Sequence, residues 1–249
     1  MSCSGSADRH HRTVGQLGHG GFRRLRGSRV AVIGLGGVGA HAAIALARSG
    51  IGHMLLVDFD LVTESSLNRN PLLGPGDVGL PKADVMADHL LRDCPDTGSK
   101  ARREFFHHDT ADLILQPAPD LVVDAIDSLN PKVALIEECL RRGVPVVSSM
   151  GASGRTDPSA VRVGDLMDSR CCPLARQVRK RLRKRGIDRG TRAVWSVEPD
   201  RSRPMGLDGS ERTLDRGRAR NTLPSLITMP GIFGYACAAE AIAMLCGEE

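Results

Sequence analysis

Four glycines in a six-residue run, Gly34, Gly36, Gly37 and Gly39, follow a short β-branched segment and lead into an alanine-rich one. Glycines at that spacing let a chain turn tightly and bring its backbone up to a phosphate. The helix start beyond them offers free N–H groups and the positive end of a dipole. Nineteen residues after Gly39, Asp58 closes a second apolar run, where a carboxylate can accept hydrogen bonds from ribose hydroxyls. Together these features read as an adenine-nucleotide site. They do not by themselves separate NAD from ATP, and a merely tight strand–helix turn is the plainer alternative.

The residues that follow favour a triphosphate. After Asp58 come Asp60, then Ser66, Asn68 and Arg69, then Lys82, and later Asp127 and Ser128 at the end of another apolar run. One Arg and one Lys suit the clamping of phosphates, and an acid across the site suits Mg²⁺. Hydride transfer has no use for such a set. Each residue also has an ordinary reading: Arg69 as a solvated loop charge, Lys82 as a first-turn surface residue, and Asp127 as the N-cap of the helix that follows.

The elements that must position these groups are legible around them. Residues 28–34, 53–58, 120–125 and 144–148 are short, continuously apolar runs, as expected of strands buried on both faces. Residues 38–49, 81–91 and 131–142 have helical character, with Gly50 as a stop and Pro81 at a first-turn position. The alternation predicts an α/β fold: a Rossmann-like, doubly wound, mostly parallel sheet with a C-terminal extension of mixed α/β structure. The segments that carry the candidate residues from Asp58 to Ser128 fall at strand ends or in the loops after them, where open α/β sheets hold their ligands. The expected organisation is one unit over 1–249, with a nucleotide half at 28–150 and a substrate or dimer half at 151–249.

Residues 1–27 read as a polar, His/Arg-rich lead-in. A short strand is expected at 160–163, and a Pro/Gly/Arg/Asp-rich loop at 199–221. Residues 170–192 carry ten Arg or Lys against the single acid Asp188. That stretch reads either as an amphipathic helix with a solvated basic face or as a docking surface for phosphates.

Composition narrows the field further. The chain has 249 residues, a formal charge of +5 and 41% hydrophobic residues, which excludes wholly disordered and collagen-like classes. Seven aromatics are too few for base-stacking platforms. Seven cysteines with no Cys-x-x-Cys disfavour a zinc ribbon and a disulfide scaffold, and the N-terminus lacks an apolar signal core. No stretch reaches the roughly 20 apolar residues of a membrane span, and 231–246 reads as a buried or dimer-interface helix, with peripheral membrane contact left open. The expected location is the cytoplasm.

The runs GLGGVG, LVDFDLV, SLNRN, DVGLPKADVMADHL and DAIDS resemble the ubiquitin-activating/ThiF/MoeB/HesA adenylating superfamily. Within it, the chain is most similar to the tRNA threonylcarbamoyladenosine dehydratases. Arg12-Thr13, residues 151–166 (GASGRTDPSAVRVGDL), 173–187 (PLARQVRKRLRKRGI), 195–199 and the Leu223-Pro-Ser225 turn carry that likeness. The resemblance implies ATP with Mg²⁺, adenylation of a carboxylate on a tRNA nucleoside beside the anticodon, no DNA partner, and a homodimer. It assigns Gly34, Gly36, Gly37 and Gly39 to the nucleotide, Asp58 to ribose, Arg69 and Lys82 to phosphates, and Asp127 to Mg²⁺ or phosphate orientation. It also implies that Arg12 reaches a partner's site.

The pattern departs from the family at Ser66, where Asn is usual, at Cys172, where Asp is usual, and at Asp168, where Lys is common. Residues 218–227 hold no cysteine. A thioester through that segment is therefore unavailable, and direct attack on the adenylate is the expected route. Competing readings are an activator of a ubiquitin-like or sulfur-carrier protein, an NAD(P)-dependent oxidoreductase, and a non-catalytic binding relic of the fold.

Overall fold

The computed structural model describes residues 9–199 and 223–247. The expected loop at 199–221 therefore lies outside the described residues, save for its first position.

Seven strands form one sheet: β1 (Arg29–Ile33), β2 (His53–Val57), β3 (Gly98–Arg102), β4 (Leu121–Asp124), β5 (Val146–Ser149), β6 (Val161–Asp165) and β7 (Arg192–Ser196). Their order is β3-β2-β1-β4-β5-β7-β6, and every pair is parallel except β6 with β7. The order reverses about β1, which β2 and β4 flank in parallel. That is the switch point at which open sheets form a crevice.

The strand residues explain the layering. Along β1, Val30 and Val32 point into one apolar cluster, while Ala31 and Ile33 point into another on the opposite face. Both faces are covered, so the strand reads as an unbroken apolar run rather than an alternating one. The first cluster packs the sheet against α1 (His11–Gly27), α2 (Gly37–Ser49), α3 (Lys82–Asp93) and α7 (Thr228–Cys246). The second includes α4 (Ala111–Leu115) and α5 (Leu129–Arg141), and a third joins α5, α6 (Pro173–Arg183) and β7 around Trp195.

Several elements differ from the sequence expectation. Residues 11–27 are helical, with a break at Gly18 (φ 67°), and the helix is held by Leu25 in the core. Strands β3 and β7 and the short α4 had no counterpart in the reading. The helix expected to contain Pro81 starts at Lys82, with Pro81 as its N-cap. Gly50 caps α2 in the left-handed conformation (φ 97°), as a helix-stopping glycine should.

Helix α7 is long and apolar enough to cross a membrane by length and composition. It buries Met229, Phe233, Cys237, Ala238 and Ala241 in the main core and leaves Tyr235 and Met244 exposed. It approaches α2 so closely that a Cβ on Gly234 would lie 2.5 Å from the Val38 carbonyl oxygen. That spacing leaves room for glycine alone.

Candidate active site

The turn between β1 and α2 is built by its glycines. Gly34 has φ 89°, and a Cβ there would stand 2.8 Å from the carbonyl of Ala125, in the loop after β4. A Cβ on Gly39 would fall 1.8 Å from the Gly34 oxygen. No other residue fits at either position, so the backbone of the turn and the start of α2 stay bare toward the crevice. A cleft opens there, lined by Leu35, Gly36, Gly37, Ser66, Arg69, Asn70 and Lys82.

Asp58 follows β2 and is buried. Its carboxylate accepts the N–H of Leu35 at 2.6 Å and the N–H of Asp60 at 2.8 Å, which ties the end of β2 to the glycine turn. Burial pushes this carboxyl above the ordinary aspartate value of 3.8, and Lys82 pulls the other way. Each oxygen keeps a free lone-pair direction with which to accept a hydroxyl.

Lys82 is buried at the start of α3, not exposed on its surface. Its Nζ donates to Asp60 Oδ2 at 3.1 Å, and its backbone N–H donates to the Asp60 carbonyl at 3.0 Å. Burial alone would lower its pKa. The neighbouring Asp58 and Asp60 carboxylates more than offset that, so the ammonium stays charged with a pKa above its ordinary 10.5. Arg69 lies close enough to Lys82 to oppose its charge, and its guanidinium turns back onto the Ser65 carbonyl and Asn68 Oδ1. Two cations therefore border one cleft beside a helix N-terminus, an arrangement that attracts and orients a polyphosphate.

Asn70 was not among the site residues expected from sequence. It is buried, and its side chain donates to the Leu35 carbonyl at 3.1 Å and accepts the Leu72 N–H at 3.0 Å. It thus pins the Arg69 loop to the glycine turn. Its place two residues after Asn68 in the SLNRN run was the only available signal.

Ser66 contributes to the cleft wall, but its hydroxyl is occupied. Its Oγ accepts the Thr63 N–H at 3.3 Å and lies 2.9 Å from Thr63 Oγ1, closing a capping box on a short 3-10 turn. Asn68 is exposed and does not line the cleft. It donates to the Ser225 carbonyl at 3.3 Å, joining the loop to the segment before α7.

Asp127 is exposed in the turn after β4, and Ser128 donates to its Oδ1 at 3.4 Å. The N-cap of α5 is Ser128, so the plain reading of Asp127 as the N-cap of that helix does not hold. Among the described residues no group of three His, Cys, Asp or Glu side chains could hold a metal ion. Asp127 is not among the residues that line the cleft; a carboxylate acting together with substrate phosphates is a common holder of Mg²⁺.

Arg12 is exposed on α1 and is not brought to the cleft within one copy. The start of that helix lies near Gly50 and Asp96, toward the opposite edge of the sheet.

Among the described residues no cysteine lines the cleft. Burial pushes the Cys139 and Cys237 thiols upward, Cys237 to about 12. Cys172 is buried as the cap of α6, its Sγ accepting the Ala175 N–H at 3.5 Å. Cys171 is exposed, with φ 59°.

Helix α6 buries Ala175, Val178 and Leu182. On its flanks, Arg179 is bonded to Ser169 and Arg181 to Asn130. Arg176, Lys180, Arg183 and Lys184 fall on the outward face at helical spacing. Among the described residues no acid lies within ion-pair distance of these four.

The ThiF family model matches residues 8–249. The chain is 40% identical over 182 residues to the tRNA threonylcarbamoyladenosine dehydratase of Bacillus subtilis, covering 73% of this chain and 72% of that protein. It also superimposes on crystal structures of the Escherichia coli tRNA N6-threonylcarbamoyladenosine dehydratase TcdA. The complex with AMP gives a TM-score of 0.86 at 30% identity, covering 98% of this chain and 97% of that one. The complex with ATP gives 0.84 at 29% identity over the same shares.

Proposed function

The chain belongs to the ThiF family, and from that premise we propose how its site carries out the ATP-dependent dehydration of threonylcarbamoyladenosine in tRNA. The observation that carries the reading is the pairing of a bare glycine turn with two cations, Arg69 and Lys82, on one cleft. A nicotinamide enzyme would leave both cations unexplained.

ATP lies with its phosphates along Gly34, Gly36, Gly37 and Gly39 and its ribose on Asp58. Arg69 and Lys82 hold the phosphate chain and offset the charge that gathers on departing pyrophosphate. Asp60 keeps Lys82 aimed and charged, while Ser66 and Asn68 shape the loop around Arg69. Asp127 would hold Mg²⁺, with Ser128 beside it, and the ion would neutralise phosphate charge. A carboxylate oxygen of the threonylcarbamoyl group attacks the α-phosphorus, and the bond to pyrophosphate breaks. The acyl-adenylate then closes on a nucleophile within the modified base and expels AMP. The oxygen lost from the nucleoside leaves on AMP, so the net change is the loss of one water from the base and conversion of ATP to AMP and pyrophosphate.

Among the described residues the cleft holds no cysteine, which supports direct ring closure without a thioester. The basic stripe on α6 supports tRNA docking through the phosphate backbone rather than through base readout. We read residues 1–249 as one unit acting in the cytoplasm as a homodimer, in which Arg12 of one copy completes the site of the other.

The test is pyrophosphate release with tRNA that carries threonylcarbamoyladenosine and with the same tRNA lacking it. Release that depends on the modification supports the reading. Equal release with both, or release only with a Gly-Gly-tailed carrier protein, overturns the tRNA assignment.

A further inference from the structure

Behind the glycine turn lies a cluster that the mechanism above does not use. Asp124, Lys132 and Ser148 are all fully buried. Lys132 Nζ donates to Asp124 Oδ2 at 2.7 Å and to Ser148 Oγ at 3.2 Å, and Ser148 Oγ donates to Asp124 Oδ2 at 2.6 Å. Asp124 and Ser148 are paired neighbours on β4 and β5, and Lys132 enters from the first turns of α5.

Stability is a weak reason for such a group, because well-packed apolar side chains commonly replace a buried ion pair at no loss. Its geometry gives a better one. The other oxygen of Asp124 accepts the Ile126 N–H at 3.0 Å. The Ala125 N–H donates to the Ile33 carbonyl at 2.8 Å, and the Ala125 carbonyl lies against Gly34. At the far end of the same turn, the backbone N–H of Lys132 donates to the Ser128 carbonyl at 3.1 Å. The turn 125–128 is therefore bracketed. Its start is bonded to the carboxylate that Lys132 holds, and its end is bonded to Lys132 itself. Asp127 sits between the two.

We propose that Lys132 is a positioning residue: through Asp124 and Ser148 it fixes the 125–128 turn against Gly34 and so sets where Asp127 meets the nucleotide's phosphates. The inference rests on the assignment of Asp127 to phosphate-bound Mg²⁺. A side chain that does not touch a bound ion can still fix the orientation of the residue that holds it.

The test compares the full-length wild type with Lys132→Met, Ser148→Ala and Asp127→Asn. ATP affinity is measured by calorimetry with Mg²⁺ and with EDTA, and backbone hydrogen exchange is followed by mass spectrometry. Lys132→Met is expected to lose roughly tenfold of the Mg²⁺-dependent gain in ATP affinity, the usual effect of removing a group that orients a metal-holding side chain. Its affinity in EDTA should hold, and exchange should quicken in the peptide spanning 125–130 while β1 and β2 stay protected. Ser148→Ala should move both readouts the same way by less, and it serves alone if Lys132→Met does not fold. A folded variant of either kind with wild-type Mg²⁺ dependence and unchanged exchange at 125–130 overturns the proposal. Asp127→Asn must reproduce the Mg²⁺ loss without the exchange change. If it binds Mg²⁺-ATP as the wild type does, the Asp127 assignment fails, and the positioning role falls with it.

Discussion

Replacing Lys82 by alanine separates what that residue does for the fold from what it does for phosphate. In the free protein its ammonium is the cation beside two acids: Asp60 at 3.1 Å and the buried Asp58. Removing one partner of a fully buried pair costs about 3–5 kcal/mol, but the Asp60 side chain is 36% exposed and solvent screens it. A cost of about 1–3 kcal/mol follows, and at about 2–4 °C per kcal/mol for a chain of this size Tm falls by roughly 2–12 °C.

The lesion also has a pH signature. Burial already raises the Asp58 carboxyl, and losing Lys82 raises it further. A raised carboxyl favours the folded state when protonated. The penalty of the variant is therefore largest at neutral pH and shrinks as pH falls toward the ordinary aspartate value of 3.8. On turnover the loss is larger, because one preorganised cation is worth about 10²- to 10³-fold. Thermal melts at pH 7.5 and 5 give the first effect, and ATP–pyrophosphate exchange at 25 °C, well below the melt, gives the second. A folded Lys82→Ala that exchanges pyrophosphate within threefold of wild type refutes the phosphate role.

Other outcomes follow from the same geometry. Gly234→Ala would place its Cβ 2.5 Å from the Val38 oxygen and 2.6 Å from the His41 Cβ. Overpacking of about 1–3 kcal/mol is expected, read as a lower urea midpoint. The Glu138 carboxyl is held down to about 2, chiefly by hydrogen bonds from Arg141 against an opposing effect of burial, with Arg142 and His108 adding to it. Its stabilising effect is full above the ordinary value of 4.5 and is lost as pH falls from there toward 2. Urea titrations should therefore find Glu138→Gln destabilised at pH 7 and nearly equal to wild type at pH 2.5. Changing Arg176, Lys180, Arg183 and Lys184 to glutamine should weaken tRNA binding and flatten its dependence on log salt by about one unit per lost phosphate contact, with pyrophosphate exchange chemistry intact.

The parts of the fold that sequence made legible share a physical cause. Strands β1, β2, β4 and β5 are buried on both faces, so their apolar runs announce them, and the glycine turn is held by contacts that exclude any Cβ. Strand β3 reads GSKAR and lies at the sheet edge with little burial, so no pattern marked it. Helix α1 carries glycines at 15, 18, 20 and 21, which argue against a helix, and packing of Leu25 and Gly21 overrides them.

At the site, residue types and order pointed to Asp58, Arg69 and Lys82 but not to their state. The surface alternative for Lys82 stayed open because nothing local says that Asp60 pairs with its buried ammonium. Asn68 was expected in the cleft, yet its amide turns to Ser225, 157 positions away. The Asp124–Lys132–Ser148 cluster stayed hidden for the same reason. Its members are 8, 16 and 24 positions apart, and only the parallel pairing of β4 with β5 brings them together.

The most direct test incubates the protein with ATP and tRNA bearing threonylcarbamoyladenosine, then digests the tRNA and weighs its nucleosides. The expected result is a threonylcarbamoyladenosine lighter by one water, formed with one AMP per conversion, and absent with Arg69→Ala or Lys82→Ala. An unchanged nucleoside mass while ATP is still consumed would contradict the account and move the adenylated carboxylate to another acceptor.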